Sequence, residues 1–171
     1  MRFRAYLASS LDGFVATPDG DVGWLSPYDS EKYGYREFIA EIGAIVMGRV
    51  TFDQVRGMGE WPYAEQRVHV LTTRPLRNPP RGTTGWSDPA ALVTHLRGEP
   101  SSQDVWVAGG PRTLSAMRGL LAVDSWELFV IPVLLGDGIP LFSREAQPTP
   151  LRLRRHQAFP DGVVALIYER G

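Results

Sequence analysis

A buried strand that passes through glycine into a helix start occurs twice along this chain, and it limits the fold more than any other pattern. The first copy is Val46–Phe52 (VMGRVTF), at the end of the apolar run Ala44–Met47, and the second is Val105–Leu114 (VWVAGGPRTL). Short, fully apolar runs are typical of strands buried on both faces, which occur mostly in parallel sheets. Because parallel strands need crossover connections, strands and helices are expected to alternate.

The other patterns extend this alternation along the chain. Strands are predicted at Phe3–Ala8, Arg67–Thr73, Asp104–Ala108 and Trp126–Val133, and helices over Tyr35–Ile42 and Thr51–Val55, from Pro89, and from Pro111 with Leu114, Met117 and Leu121 on one stripe. Asp29 or Ser30 is the expected cap of the first helix, and Asp88 that of the third. Leu151–Ala158 and Val163–Glu169 flank Pro160-Asp161-Gly162, which is a hairpin signal. We expect one α/β domain over residues 1–171.

The composition argues against several classes of protein. The chain has no cysteine, which removes disulfides, cysteine nucleophiles and thiolate zinc sites, and its three histidines are not spaced as metal ligands. A formal net charge of −1, with acids and bases interspersed, gives no electrostatic case for nucleic acid or an anionic membrane. No apolar run reaches the roughly 18 residues of a membrane span, and the N-terminus does not resemble a signal peptide. A soluble, cytoplasmic protein without a metal is expected.

The glycines between strand and helix have a chemical interpretation. Glycine lets a ligand approach the backbone, and the unpaired amides and dipole of a helix N-terminus favour a phosphate. Each segment by itself is weak evidence, because glycine before a helix is more often an ordinary turn and Arg49 alone is more often a surface cation. Two such segments on adjacent parallel strands would suit a ligand with more than one phosphate, such as a dinucleotide.

Taken together, the motifs resemble those of the dihydrofolate reductase-like superfamily. They are SLDGFVA after the first strand, MGRVTF after the second, VLTTR after the third, then AGGPRTL and IPVLLGDGIPLF. Within the superfamily, the chain is most similar to stand-alone relatives of the reductase domain of riboflavin biosynthesis. The resemblance implies a three-layer fold with a mostly parallel central sheet, an antiparallel C-terminal hairpin and helices on both faces.

The resemblance also implies NADPH as cofactor and indicates the residues that bind it. Gly48, Arg49, Val50 and Thr51 match the segment at the cofactor phosphates, and Leu71, Thr72, Thr73 and Arg74 match the strand end beside the adenosine ribose. Arg49 and Arg74 would supply charge for the 2′-phosphate. Ala108, Gly109, Gly110, Arg112, Thr113 and Leu114 match the segment along the pyrophosphate and nicotinamide ribose, often with a cis peptide between the glycines. Ala8 and Val15 match positions that frame the nicotinamide.

The substrate side rests on two aspartates, each with an alternative. Asp12 could orient a substrate, or it could belong simply to a favourable Asp-Gly turn. The spacing from Trp24 to Asp29 resembles that between a tryptophan and an acidic residue in true dihydrofolate reductases. In those enzymes the carboxylate of the acidic residue binds the pterin and supports protonation. Asp29 also lies where a helix needs an N-cap.

Two departures separate the chain from relatives with known substrates. The apolar stretch Phe129–Ile131 replaces the strand threonine of folate reductases, and Tyr33–Arg36 lies where the riboflavin-pathway reductase carries a histidine-arginine pair. We therefore expect a reductase for a small heterocyclic (pterin- or pyrimidine-like) or carbonyl compound. The alternatives are a nucleotide-binding protein without turnover and a true dihydrofolate reductase. By resemblance, a homodimer is expected.

Overall fold

A computed structural model describes residues 1–142 and 148–171 of the chain. The elements follow in the order β1 (Phe3–Ser10), β2 (Phe14–Ala16), α1 (Tyr35–Ala40), β3 (Ile42–Gly48), α2 (Arg49–Gly57), β4 (Arg67–Leu71), β5 (Thr83–Trp86), α3 (Pro89–Gly98), β6 (Asp104–Gly109), α4 (Pro111–Gly119), β7 (Ser125–Ile131), β8 (Ile139–Pro140), β9 (Leu151–Ala158) and β10 (Val164–Arg170). Short 3-10 helices at Gly23–Leu25 and Ser30–Tyr33 interrupt the loop between β2 and α1.

One eight-stranded sheet organises the described residues, in the order β5-β4-β3-β6-β1-β7-β10-β9. The strands from β5 to β7 are parallel, and β10 pairs antiparallel with both β7 and β9. This arrangement confirms the expected mostly parallel sheet with an antiparallel C-terminal hairpin. Because the parallel strands share a direction, their carboxyl ends lie along one edge of the sheet.

Helices cover both faces of this sheet, as the strand side chains show. Along β3, Ala44 and Val46 join one apolar cluster with residues of α3 and α4, while Ile45 and Met47 join another with residues of α1 and α2. This alternation follows from the period of two along a strand. Burying each large side chain on either face contributes about 1.5–3 kcal/mol, which fixes the helices against the sheet.

The first helix begins later than the sequence predicts. Asp29 caps the 3-10 helix at Ser30–Tyr33, whereas α1 begins after Gly34, whose φ of 85° is accessible mainly to glycine. The prediction that Asp29 or Ser30 caps α1 is therefore wrong. Ile42 is also misassigned, because it begins β3 and points into the core.

Other differences concern short or exposed elements. β5, an edge strand with the sequence TTGW, is not predicted from the sequence, and neither are β2 and β8, which form a separate two-stranded sheet. Leu121 lies beyond the end of α4 and is 58% exposed, so it is not part of that helix's apolar stripe. Asp88 does cap α3, with Pro89 at its first turn, as predicted. No helix among the described residues is long and apolar enough to span a bilayer.

Candidate functional site

The two glycine segments, far apart in sequence, meet at the carboxyl edge of the parallel sheet. β3 and β6 are neighbours, so Gly48 at the end of β3 lies beside Gly109 and Gly110 at the end of β6. A Cβ atom added to Gly48 would lie 2.7 Å from Thr113 Oγ1, and one added to Gly110 would lie 3.4 Å from Thr51 Oγ1. The N-termini of α2 and α4 are therefore in direct contact.

Neither helix has a side-chain cap among the described residues, because glycine occupies both cap positions. The first backbone amides of a helix have no intrahelical acceptor. Val50 and Thr51 on α2, and Arg112 and Thr113 on α4, thus carry amides at the sheet edge where open α/β sheets bind ligands. Two adjoining helix N-termini can hold two negatively charged groups of one ligand.

The peptide between Gly109 and Gly110 is cis, as the resemblance implies. Gly109 has a φ of 101°, which disfavours any residue with a Cβ. The Leu114 side chain faces the core rather than the side of this peptide where a ligand would bind. Its side chain is 2% exposed within the core, and its amide donates to Gly110 O at 3.1 Å, so it supports the loop from inside.

The end of β4 lies next to Gly48, because Leu71 pairs with Gly48 across the sheet. A tight turn follows, in which Thr72 Oγ1 accepts from the Arg74 amide at 3.0 Å and donates to Arg74 O at 3.1 Å. Thr73 and Arg74 are exposed. The structure thus places Leu71, Thr72, Thr73 and Arg74 beside the glycine segments.

The two arginines expected at a 2′-phosphate differ in their surroundings. The Arg49 guanidinium binds the carboxylate of Asp53, with Nε 2.8 Å from Oδ2, and donates to Pro75 O at 3.2 Å. The Arg74 guanidinium has no partner among the described residues. Arg49 therefore ties α2 to the loop after β4, while Arg74 keeps its charge available.

The positions expected around the nicotinamide lie on neighbouring elements. Ala8, near the end of β1, and Trp24 both pack against the apolar cluster around Phe129, and Ala108 precedes the glycine pair on β6. Val15 lies on the short strand β2 and packs against the main core. Trp24 Nε1 is buried without a hydrogen-bond partner among the described residues.

Asp12 holds two loops together. Its carboxylate accepts hydrogen bonds from Ser10 Oγ at 2.6 Å, from the Gly136 amide at 2.7 Å and from the Leu135 amide at 3.2 Å. The Ser10 hydroxyl, followed by the two amides, lowers the pKa of Asp12 below its ordinary value. This geometry favours the turn interpretation and extends it, because the carboxylate links the turn after β1 to the loop after β7.

Asp29 is exposed, and its Oδ1 accepts from the Glu31 amide at 3.0 Å. This bond supports the capping interpretation, although for the 3-10 helix rather than for α1. The second carboxylate oxygen has no partner within the described ranges. Asp29 thus retains an oxygen that could face a substrate.

One contact at this edge involves a residue that sequence reasoning missed. Gln54 on α2 donates through Nε2 to the backbone oxygen of Gly20 at 3.1 Å. Glutamine is an ordinary residue on a helix surface, and its acceptor is a main-chain atom of a distant loop. The sequence therefore contains no signal from which this contact could be found.

A separate groove of about 540 Å³ lies on the face of the sheet beside α1. Its lining includes Arg4, Tyr6 and Phe38 on one side and Arg155 on the other, with Glu127 between them. Burial by itself would lower the pKa of Arg4, but the bonds from its guanidinium to Glu127 and Glu41 have the larger effect and raise that pKa. No residue of the two glycine segments lines this groove.

Among the described residues, no cluster of three or more histidine, aspartate or glutamate side chains could hold a metal ion.

The sheet order, the helices on both faces and the adjoining glycine segments define an α/β protein of the dihydrofolate reductase-like fold. The sequence model of the RibD C-terminal domain matches residues 4–165, and the chain belongs to this family. The uncharacterized protein YwjB of Bacillus subtilis is 31% identical over 160 residues, which cover 92% of each chain.

Solved structures agree with this fold. A "Putative riboflavin biosynthesis protein" from a Shewanella species superposes with a TM-score of 0.86 at 23% identity, covering 100% of this chain and 99% of that one. A pyrimidine reductase-like protein from Corynebacterium diphtheriae superposes with a TM-score of 0.72 at 17% identity, covering 99% and 92% of the two chains.

Proposed function

We propose that this protein is an NADPH-dependent reductase that transfers hydride to a small heterocyclic, pyrimidine- or pterin-like, or carbonyl substrate. The observation that carries the proposal is the contact between the N-termini of α2 and α4 through Gly48 and Thr113. It brings two helix N-termini without side-chain caps together at the edge of the sheet where a dinucleotide would lie. Membership of the RibD C-terminal domain family supports the same cofactor.

The residues at this edge fit the parts of NADPH. The amides of Val50, Thr51, Arg112 and Thr113 would bind the phosphates, because glycine at both helix caps leaves no cap side chain to compete for them. The unpaired guanidinium of Arg74 would bind the 2′-phosphate. When bound, NADPH supplies the hydride, while the protein holds and orients both reactants.

For the substrate, a flat heterocycle is favoured by two observations. Trp24 has a buried indole N–H without a partner in the described ranges, and its side chain packs against the same apolar cluster as Ala8. A buried donor left unpaired costs about 1–3 kcal/mol, which a carbonyl or ring nitrogen of a bound substrate would recover. One of the solved relatives is described as pyrimidine reductase-like, which agrees with such a substrate. The proton would come from water or from Asp29.

The first experiment measures binding and selectivity. In thermal unfolding, NADPH at 100 times its dissociation constant should add about 2.7 kcal/mol of stability, and NADH at the same concentration should add less. Arg74→Ala should reduce the ratio of NADPH affinity to NADH affinity by about tenfold, because the 2′-phosphate loses its positively charged partner.

Arg81→Ala is the matched control for this experiment. Arg81 is also exposed, but it precedes β5 and therefore lies toward the amino ends of the parallel strands, opposite the candidate site. It should leave the preference for NADPH unchanged. Wild-type protein that shows no stabilisation by either cofactor would contradict the proposed function.

A nucleotide-binding protein without turnover is the second candidate. It is favoured by the three hydrogen bonds through which the Asp12 carboxylate joins two loops, and by the capping bond of Asp29. Tight NADPH binding without NADPH oxidation in the presence of pterins, dihydrofolate, pyrimidines and quinones would support this candidate. Oxidation with dihydrofolate alone would instead indicate a true dihydrofolate reductase.

We also propose that the protein works as a homodimer in the cytoplasm. All eight residues of β9 are exposed, and β9 is one of the two edge strands of the eight-stranded sheet. Uncovered edge strands are ready sites for association. Leu151 and Leu153 on this strand are 39% and 45% exposed, which gives the edge an apolar component that a second copy would cover.

A further inference from the structure

The loop that follows β4 lies against α2, and two arginines of the helix hold it there. Arg49 Nη1 donates to Pro75 O at 3.2 Å. Arg56 Nη1 donates to Arg77 O, also at 3.2 Å. Between these two bonds, the Leu76 side chain packs against the apolar cluster on the α1 and α2 side of the sheet. Three successive residues of the loop are therefore fixed to one part of the protein.

Asp53 lies one helical turn after Arg49, on the same face of α2. Arg49 Nε lies 2.8 Å from Asp53 Oδ2 and 3.0 Å from Oδ1, so the arginine donates to both carboxylate oxygens. The Arg49 side chain is 22% exposed, whereas that of Asp53 is 48% exposed. The arginine is thus largely covered, while the carboxylate remains open to solvent over about half of its surface.

Arg74 differs from Arg49 in having a free charge. It is exposed, and its guanidinium has no partner among the described residues. Pro75 directly follows Arg74, so the bond from Arg49 to Pro75 O places the first guanidinium beside the turn that carries the second arginine. This turn therefore combines two positive charges with the negative charge of Asp53.

A phosphate group at this turn would meet all three charges. Carboxylate and phosphate groups bind a guanidinium through the same charge-assisted hydrogen bonds, so Asp53 competes with a phosphate for Arg49. The carboxylate also repels a phosphate directly, because charges within about 10 Å of one another still interact at 0.1 M salt. Asp53 thus reduces the attraction that Arg49 would otherwise add to that of Arg74.

We propose that Asp53 determines how strongly the site prefers a 2′-phosphorylated nucleotide to one without this phosphate. The inference rests on the proposed NADPH site. Asp53 is a positioning residue, since it acts mainly by holding the Arg49 guanidinium against the loop. Arg74 is then the cation left for the 2′-phosphate, and the preference for NADPH is weaker than two available arginines would give.

The test replaces Asp53 by asparagine, which keeps the size of the side chain and an oxygen acceptor for Arg49 but removes the charge. In fluorescence titrations, Asp53→Asn should raise the ratio of NADPH affinity to NADH affinity by about three- to fivefold. Calorimetric titration with adenosine 2′,5′-bisphosphate and with AMP should give the same rise, because these two ligands differ only in the 2′-phosphate. Melting without nucleotide should stay close to that of the wild type, since Asp53 is half exposed.

Two further measurements separate the charge from a structural effect. Asp53→Glu keeps the charge and can still pair with Arg49, so it should keep the wild-type ratio within about twofold. Raising the salt from about 0.1 M to about 1 M shortens the Debye length from about 10 Å to about 3 Å, so the gain in Asp53→Asn should shrink. A change caused by altered packing would not depend on salt in this way.

Glu99→Gln is the matched control. Glu99 also pairs with an arginine, Arg67, which is the first residue of β4 and so lies at the opposite end of that strand from the turn. The replacement changes the net charge by the same amount as Asp53→Asn. It should leave the ratio of NADPH affinity to NADH affinity at the wild-type value.

The outcomes separate the two proposals. Wild-type protein that binds neither NADPH nor adenosine 2′,5′-bisphosphate overturns both the proposed function and the role of Asp53. Wild-type protein that binds NADPH, with an affinity ratio that Asp53→Asn leaves unchanged or lowers, overturns the role of Asp53 alone. The same holds if Asp53→Asn strengthens NADPH and NADH binding equally, because the carboxylate would then act on the whole nucleotide rather than on its 2′-phosphate.

Discussion

Gly48 shows how a single missing side chain shapes the proposed cofactor site. It lies between β3 and α2, and the space that its Cβ would fill is already occupied by the hydroxyl of Thr113, which is 4% exposed. In contrast, Arg49 and Leu114, which the resemblance also indicates as binding residues, serve first to hold the local structure through Asp53 and the core. Residues in one motif thus have different physical tasks.

Gly48→Ala should weaken NADPH binding by at least tenfold. The added methyl would lie 2.7 Å from Thr113 Oγ1, so the buried Thr113 side chain or the start of α4 must shift, which disturbs the alignment of the two sets of amides. Fluorescence titration with NADPH measures the effect.

Gly57→Ala is the control at the other end of α2. A Cβ there meets no described heavy atom within 4 Å, so binding should be unchanged and stability slightly higher. Equal affinities of Gly48→Ala and the wild type would show that the contact between the helices does not matter for binding.

At the scale of elements, the edge formed by β4, β5 and α3 contains a buried titratable group. Trp86 Nε1 on β5 donates to His69 Nδ1 on β4 at 3.0 Å, so the proton of the neutral ring lies on Nε2, which is buried without a partner in the described ranges. Burial first, then the charges of Arg67 and His95 against that of Glu99, lower the pKa of His69 to about 4. The histidine thus serves as a neutral acceptor.

This histidine should make stability depend on pH. Below pH 6.5 the unfolded chain protonates His69 while the folded protein does not, so the free energy of unfolding falls from about pH 6.5 down to about pH 4. The slope for one proton is about 1.4 kcal/mol per pH unit. Urea unfolding from pH 7 to pH 5 should show this slope reduced in His69→Gln, which keeps an acceptor for Trp86.

His156→Gln gives the comparison for this measurement. His156 is exposed on β9, and its replacement should leave the slope as in the wild type. If His69→Gln retains the full wild-type slope, the buried ring is not the source of the acid sensitivity.

At the scale of the whole molecule, the hairpin of β9 and β10 is the part that the helices leave uncovered. β10 contributes side chains to the core through Ala165 and Tyr168, but β9 is exposed along its whole length. An edge of this kind is normally protected by charge or by a partner. The strand has both charged residues, at Arg152, Arg154 and Arg155, and the apolar residues Leu151 and Leu153.

The dimer proposal predicts a mass of two 19.0 kDa chains in size-exclusion chromatography with light scattering. Replacing Leu151 and Leu153 together by lysine should shift the protein to one chain, because the charges would be buried at the interface. Leu134→Lys is the control, since Leu134 is 71% exposed in the loop after β7. A wild-type protein with the mass of one chain at all concentrations would contradict the proposal.

Much of this architecture could be read from local patterns. Apolar runs that end in glycine identified β3 and β6, and Asp88-Pro89 identified the start of α3, because burial and capping restrict the residue types at positions close together in the sequence. The sequences of β5 and β2 show no such pattern. They are short, and their strand character comes from hydrogen bonds to a partner strand that lies elsewhere in the chain.

For the candidate site, the sequence by itself determined which residues lie at the carboxyl ends of the strands, since that follows from the order of elements. Only the tertiary structure decided what those residues contact. Gly48 allows the close approach of Thr113, Arg49 forms an ion pair with Asp53, and Gln54 donates a hydrogen bond to Gly20. The physical reason is distance along the chain. Periodicity and capping act between near neighbours, whereas the sheet order brings together β1, β3 and β6, and no local pattern encodes the contacts that result.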